Sequence, residues 1–146
     1  MIMPRNVSRS GVHAIVAFVA FASASIVLAA SPRQTEVPVE MGGHAELDVC
    51  GTWAEVSGLN PEGDGFLAVR AGPGKQYAIR GRLREGDTFY VCDNSRDGKW
   101  FGIVYPRKGQ VASDCGVSGQ LAQIVVYGGP CGHGWVHVDW VRILAG

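Results

Sequence analysis

The stretch "GFLAVRAGPG", residues 65–74, joins the end of a strand to the start of a turn. Leu67 and Val69 alternate with other residues at the period of a half-buried β-strand. The Gly-Pro-Gly run at residues 72–74 cannot continue that strand, because proline holds its own φ at about −65° and glycine accepts positive φ. We therefore expect Leu67 and Val69 to enter a core and the chain to reverse after Arg70.

The chain beyond residue 49 alternates short β-rich runs with polar or glycine-rich turns. No run of ten or more residues after residue 30 keeps the helical period of about 3.6 residues. Five or six short strands at intervals of about ten residues favour a small all-β barrel or sandwich. Six candidate strand regions are residues 52–56, 66–70, 77–83, 88–92, 100–105 and 135–143, and residues 124–127 are a further candidate.

Residues 1–30 have the pattern of a secretory signal peptide. Arg5 and Arg9 precede an apolar run at residues 14–30, which closes in small residues. That run also reaches the short end of a membrane-spanning helix, so an anchor retained in the inner membrane is the alternative. The sequence thus predicts a periplasmic or secreted protein, with membrane contact only through the N-terminal segment if it is uncleaved.

The charge balance argues against a nucleic-acid partner. The chain has thirteen basic and thirteen acidic residues, and loss of residues 1–30 removes two arginines and no acid. Eleven bases then face thirteen acids, which leaves a net charge of about −2. Such a domain has no basic footprint for nucleic acid or for an anionic membrane surface.

Residues 31–48 have the composition of a linker. They contain two prolines, two glycines and four acidic residues, and they show little periodicity. This composition is typical of a flexible tether. We therefore expect the folded domain to begin near Val49 and to occupy residues 49–146.

An even number of cysteines in a small exported chain indicates two disulfides. The four are Cys50, Cys92, Cys115 and Cys131. They allow three pairings, and spacing alone does not choose among them. We favour Cys115–Cys131, which brackets one loop-like segment, and Cys50–Cys92 by elimination. A zinc site would need closer cysteine and histidine pairs, so neither a metal nor a cofactor is expected.

Five short motifs follow one another between residues 65 and 143. They are a Leu-x-Val-Arg-x-Gly-Pro turn, an aromatic residue, an Ile-x-x-x-Leu-x-x-Gly segment, a Gly-x-Trp strand and a closing Gly-Trp-Val. They stand in "LAVRAGPGKQYAIRGRLREGD" (67–87), "GKWFGIV" (98–104) and "GWVHVDWV" (134–141). In these motifs and their order, the chain resembles a bacterial SH3-type (SH3b) domain.

The resemblance implies an SH3-like barrel of five to six short antiparallel strands. This chain departs from the family pattern in residues 105–133, a long insertion where the family often needs only a few residues. Ala68 also stands where the family commonly has asparagine. We expect Cys115 and Cys131 to clamp the two ends of the insertion.

The same resemblance implies a binding module of the cell envelope. Its partner would be a cell-wall glycopeptide or an extended peptide or protein segment, held against exposed aromatic residues between loops. The candidate binding residues are Tyr77, Trp100, Tyr105, Trp140 and Arg70. Trp100 and Trp135 lie at strand positions, which suit a core residue as well as a ligand contact.

The arginines of this region have both structural and functional interpretations. Arg70 at a strand end is expected to pack its stem on the domain and to donate to loop carbonyls; a clamp for a ligand carboxylate is the alternative. Arg80, Arg82 and Arg84 share one strand face. That stripe is either a solvated face that discourages edge pairing or a contact for an acidic ligand.

No catalytic activity is expected. A cysteine hydrolase needs a thiolate beside a base, and two disulfides would leave no thiol. The alternative to a cell-wall binding module is therefore also a non-catalytic protein. It is a disulfide-stapled structural or regulatory accessory domain that docks on another exported protein.

Overall fold

The computed structural model describes residues 34–146, which contain nine strands and two short 3₁₀ helices. The strands are β1 Glu40–Asp48, β2 Thr52–Val56, β3 Leu67–Arg70, β4 Ile79–Leu83, β5 Thr88–Asn94, β6 Trp100–Tyr105, β7 Gln120–Val126, β8 Gly132–His137 and β9 Val141–Ala145. The 3₁₀ helices are Ala112–Cys115 and Val138–Trp140. Residues 1–30, predicted to be a signal peptide or, at 14–30, an anchor, lie outside the described residues. Between residues 34 and 146, none of the helices combines the length and the hydrophobicity needed to cross a bilayer.

All strand pairs are antiparallel, and they form two sheets. Strands β1 and β7 make a two-stranded sheet, while the other seven follow the order β4-β3-β8-β6-β5-β2-β9. The predicted all-β class is confirmed. The strand number differs from the expected five or six, and the end strands β4 and β9 do not pair with each other in the described part of the chain.

The additional strands have three sources. Strand β1 forms from residues expected to be a linker, and β7 forms within the insertion. The predicted closing strand at residues 135–143 divides into β8 and β9 at the 3₁₀ helix Val138–Trp140. There the His137 side chain accepts from the Asp139 N–H, and the Val141 N–H donates to the Val138 carbonyl. This turn directs β9 to β2, whereas β8 pairs with β3 and β6.

The main core lies on one face of the seven-stranded sheet. Leu67 and Val69 are 5% and 0% exposed, as their alternation predicts. They pack in one cluster with Ala54, Val56, Leu83, Phe89, Val91, Ile103 and Val136. The chain then reverses after Arg70, and the Ala71 N–H donates to the Ala78 carbonyl across the turn. Both expectations from the opening stretch are thus confirmed.

The prediction that residues 31–48 form a linker is wrong from Val37 onward. The Val37 N–H donates to the Ala71 carbonyl at 2.9 Å, and the Val37 carbonyl accepts from the Trp135 indole Nε1 at 2.8 Å. Val39 is buried in a cluster with Trp135. These partners are distant in sequence, so the segment is ordered by tertiary contacts that its own composition does not report.

Both favoured disulfide pairings are present. The Cys50–Cys92 disulfide joins the turn just before β2 to strand β5, and the Cys115–Cys131 disulfide closes part of the insertion. No cysteine among residues 34–146 is free. Two disulfides indicate that the protein folds in an oxidising compartment, such as the periplasm or the extracellular space.

The disulfide closes the insertion from residue 115 and leaves residues 105–114 outside the loop, so it clamps one part of the insertion and not its two ends. Tyr127 adds a second link between the same two residues. Its buried phenol donates to the Cys115 carbonyl at 3.0 Å and accepts from the Cys131 N–H at 3.1 Å. Burial raises the pKa of the Tyr127 phenol, although the hydrogen bond from Cys131 acts in the opposite direction. The insertion also supplies β7, whose register with β1 includes the pair Glu40–Val126.

Candidate functional site

An open groove of about 420 Å³ is bordered by the loop of residues 57–66, strand β6 and the 3₁₀ helix Val138–Trp140. We call it the aromatic groove, because Phe66, Trp100 and Trp140 line it. Its charged and polar side chains are Asn60, Asp64, Arg70, Lys75, His137 and Asp139. Aromatic faces flanked by a few polar groups are typical of sites that orient a ligand.

The structure divides the five candidate binding residues between different places. Arg70, Trp100 and Trp140 line the aromatic groove, whereas Tyr77 and Tyr105 do not. Phe66 was not among the candidates, although the strand period carries the necessary signal. Since Leu67 faces the core, its neighbour Phe66 must face the other way.

The groove tryptophans differ in accessibility. Trp140 is 38% exposed and can offer a ring face to a ligand. Trp100 is 7% exposed, and its ring meets the edge of His137 with centroids 5.1 Å apart. Trp135 is 3% exposed and belongs to the core. Of the two tryptophans that allowed either interpretation, Trp135 is therefore structural and Trp100 forms the inner wall of the groove.

Arg70 stabilises the turn that follows it, at residues 71–77. Its Nη1 donates to the carbonyls of Lys75 and Tyr77, both at 2.9 Å. The structural interpretation is thus confirmed. Both bonds leave from Nη1, and the other guanidinium N–H groups have no partner within residues 34–146. The side chain therefore serves the turn and still presents donors to the groove.

Tyr77 and Tyr105 are packing residues against glycines. A Cβ atom at Gly72 would lie 2.5 Å from the Tyr77 ring. A Cβ atom at Gly81 or Gly132 would come within 2.2 Å of the Tyr105 side chain. Partial burial raises the pKa of the Tyr105 phenol. Neither ring stands free for a ligand in the aromatic groove, because each covers the backbone of a glycine.

Glu85 holds the outer wall of the groove in place. Its two carboxylate oxygens accept from the Gly58 and Leu59 N–H groups, each at 2.9 Å. The bond from Leu59, and then that from Gly58, holds the pKa of Glu85 below its ordinary value. Further along the loop, the Asn60 carbonyl accepts from the Gly63 N–H at 2.9 Å. The wall is therefore ordered before any ligand arrives.

We expect Glu85→Ala to loosen this wall. Loss of both acceptors should speed amide hydrogen exchange at Gly58 and Leu59 severalfold and weaken ligand binding. Because the folded-state pKa is lowered, the stabilisation is present above the ordinary glutamate pKa and is lost as the pH falls through the lowered one. In the unmodified protein the same two amides should therefore exchange faster, relative to other loop amides, once the pH has fallen through the lowered pKa of Glu85.

Glu62→Ala is the matched control for the Glu85 variant. Glu62 lies in the same loop, and its carboxylate accepts no hydrogen bond within residues 34–146. Exchange at the two amides should stay unchanged in this variant. Equal acceleration in both variants would show that the Glu85 hydrogen bonds do not hold the wall.

The charges in the aromatic groove are of both signs. Arg70 and Lys75 supply cations, and Asp139 lies 3.4 Å from His137 Nδ1. Comparison of the chain with protein-family models, with curated proteins and with solved structures gave no match. The chemistry of the groove is therefore inferred from its side chains: aromatic surface for stacking, donors for a carboxylate and acceptors for an ammonium group.

Proposed function

We propose that this protein is an exported, non-catalytic binding module that holds a cell-wall glycopeptide or another extended peptide in the aromatic groove. The observation that carries the proposal is the groove of about 420 Å³ with an exposed Trp140 beside charges of both signs. Exposed aromatic residues between loops bind extended peptides without requiring deep enclosure.

The polar groups suggest which peptides the groove prefers. Arg70 and Lys75 can take a ligand carboxylate, while Asp64 and Asp139 can take an ammonium group. A peptide that carries both groups would be oriented by them, whereas a purely apolar peptide would leave the charges unpaired. Peptidoglycan stem peptides meet this requirement.

We also propose that the seven-stranded sheet is an SH3-type barrel. Support comes from the motifs, since Leu-x-Val-Arg forms β3 and the closing Gly-Trp-Val lies in β8. The sheet also curls: the Gly86 N–H donates to the Val56 carbonyl and the Val56 N–H donates to Asp87, each at 2.9 Å. These bonds bring the end of β2 to the turn after β4, although four strands lie between β2 and β4 in the sheet order.

Two further parts of the proposal rest on the cysteines and on the N-terminus. The two disulfides, together with the signal-like residues 1–30, support a periplasmic or secreted location. With Cys50, Cys92, Cys115 and Cys131 all bridged, the described chain has no thiol nucleophile, which supports a role in binding rather than in catalysis.

Co-sedimentation with purified sacculi tests the proposal. The protein should pellet with sacculi above an unrelated control protein of similar charge. Trp140→Ala should weaken binding roughly 30-fold, since a central tryptophan contributes about 2 kcal/mol at such sites. Trp53→Ala is the matched control, because Trp53 packs edge-on against Tyr90 and does not line the groove. Equal loss in both variants, with both folded, would overturn the assignment to this groove.

A second candidate function is an accessory domain that docks on another exported protein. The observation in its favour is the two-stranded sheet, where Ile124 and Val126 lie exposed on one face of β7. Sacculus binding no stronger than that of the unrelated control protein would favour this function over the first.

A further inference from the structure

A second groove, of about 700 Å³, runs beside the end of β4 and is separate from the aromatic groove in its lining. Residues 82–84, 87–88 and 105–110 line it. We call it the basic groove, because Arg82, Arg84, Arg107 and Lys108 line it. It contains Arg82 and Arg84, two of the three arginines for which the sequence allowed either a solvated face or a contact for an acidic ligand.

The basic groove borders the open edge of a strand. Strand β4 stands at one end of the seven-stranded sheet, and within residues 34–146 its one pairing partner is β3. Residues 82, 83 and 84 all line the groove although neighbouring side chains point to opposite faces. The groove therefore lies along the edge of the chain at the end of β4. Just beyond β4, the Arg84 N–H donates to the Asp87 carboxylate and the Arg84 carbonyl accepts from the Asp87 N–H, so the groups left for a further strand are those of β4 itself.

The cations of the groove are not neutralised by the chain itself. None of Arg82, Arg84, Arg107 and Lys108 forms an ion pair among residues 34–146. The one carboxylate in the lining, Asp87, accepts from the main-chain N–H of Arg84 at 2.7 Å. Residues 34–146 as a whole carry ten basic and thirteen acidic residues, so the groove concentrates positive charge on a domain of net negative charge.

Two features give the cations a definite arrangement. The Arg82 guanidinium lies over the Phe66 ring, 4.8 Å from its centroid, which holds that side chain in place. On an extended chain, residues two apart project to the same side about 7 Å from each other. Arg82, in β4, and Arg84, one residue beyond the end of β4, thus match acidic residues at alternate positions of a partner strand.

We infer that an extended acidic segment of another protein adds to the edge of β4 and lies in the basic groove. Its backbone extends the sheet, and carboxylates at alternate positions pair with the arginines. Charge complementarity selects an acidic partner. Main-chain hydrogen bonds to β4 favour an extended peptide over an anion that is held by charge alone. This inference does not depend on the proposed function, because it concerns different residues.

Fluorescence anisotropy with a short synthetic peptide of alternating glutamate and valine tests the inference on the purified full chain. The peptide should bind, and added salt should weaken it. Arg84→Glu with Arg107→Glu should weaken binding at least roughly tenfold. Arg96→Glu with Lys99→Glu, which reverses two charges outside the groove, should leave binding within about twofold.

A second peptide, N-methylated at alternate amides, tests the strand addition itself. It keeps every carboxylate but cannot complete the ladder, so it should bind at least roughly tenfold more weakly. In the unmodified protein, the peptide should also slow hydrogen exchange at the amides of β4. This measurement needs no variant and is independent of variant folding.

Three results would overturn the inference. They are failure of the peptide to bind at low ionic strength, equal affinity for the methylated peptide, and equal loss in the two charge-reversed variants. Tight binding of inorganic polyphosphate or of anionic lipid vesicles without binding of the peptide would assign the groove to a different class of ligand and would also overturn it.

Discussion

Replacing Cys50 and Cys92 together by alanine should lower the free energy of unfolding by about 4 kcal/mol. The disulfide joins residues separated by 42 positions, and its removal restores the entropy of that closed loop to the unfolded chain. A domain of this size has only about 5–15 kcal/mol of stability in total. The variant should therefore unfold at a much lower urea concentration than the parent protein.

Urea denaturation of the two cysteine-pair variants provides the comparison. Cys115–Cys131 closes a shorter loop, with a separation of 16, and its removal should lower stability by about 3 kcal/mol. Tyr127 still bridges the same two residues through hydrogen bonds, which should limit the loss further. A larger loss for the shorter loop than for Cys50–Cys92 would contradict the entropic explanation.

Trp135→Ala should also destabilise the domain by about 4 kcal/mol. The side chain is 3% exposed, and truncation leaves a cavity beside Val39. It also removes the indole N–H that donates to the Val37 carbonyl, which is then left without that partner. The N-terminal segment should loosen with the core, because Trp135 contacts it directly.

Trp140→Ala is the matched control for Trp135→Ala. Trp140 is 38% exposed, so its removal should change stability by less than about 1 kcal/mol. Hydrogen exchange should accelerate at Val37 and at Tyr127, whose N–H donates to the Val39 carbonyl, only in the Trp135 variant. If both variants lost similar stability, Trp135 would not anchor the segment.

Most core strands could be predicted from the sequence because each carries its own periodic signal. Leu67 and Val69 alternate with less buried neighbours, and β2 and β6 have the predicted bounds. Strands β2 and β3 each bury one face against the same core, so the local pattern and the tertiary environment agree. Strand β6 is buried on both faces, with Ile103 in that core and Val104 in the cluster around the disulfides. The division of residues 135–143 was missed, because the turn depends on a hydrogen bond between His137 and Asp139.

The candidate site could be predicted only in part. Of the five candidate binding residues, Arg70, Trp100 and Trp140 line one groove. Tyr77 and Tyr105 do not line it, because a sequence shows that an aromatic residue is present and not which glycine it covers. Of the basic groove, the sequence indicated only Arg82 and Arg84. Arg107 and Lys108 complete it from a segment more than twenty residues further along the chain.

The amino-acid sequence by itself determined the all-β class and the turn after Arg70. Those features depend on backbone limits and on periodicities that act within a few residues. Only the tertiary structure decided that Val37 and Val39 join the fold and which side chains line each groove. These outcomes depend on contacts between distant segments, and the free energy of such contacts is set by packing that no short stretch of sequence contains.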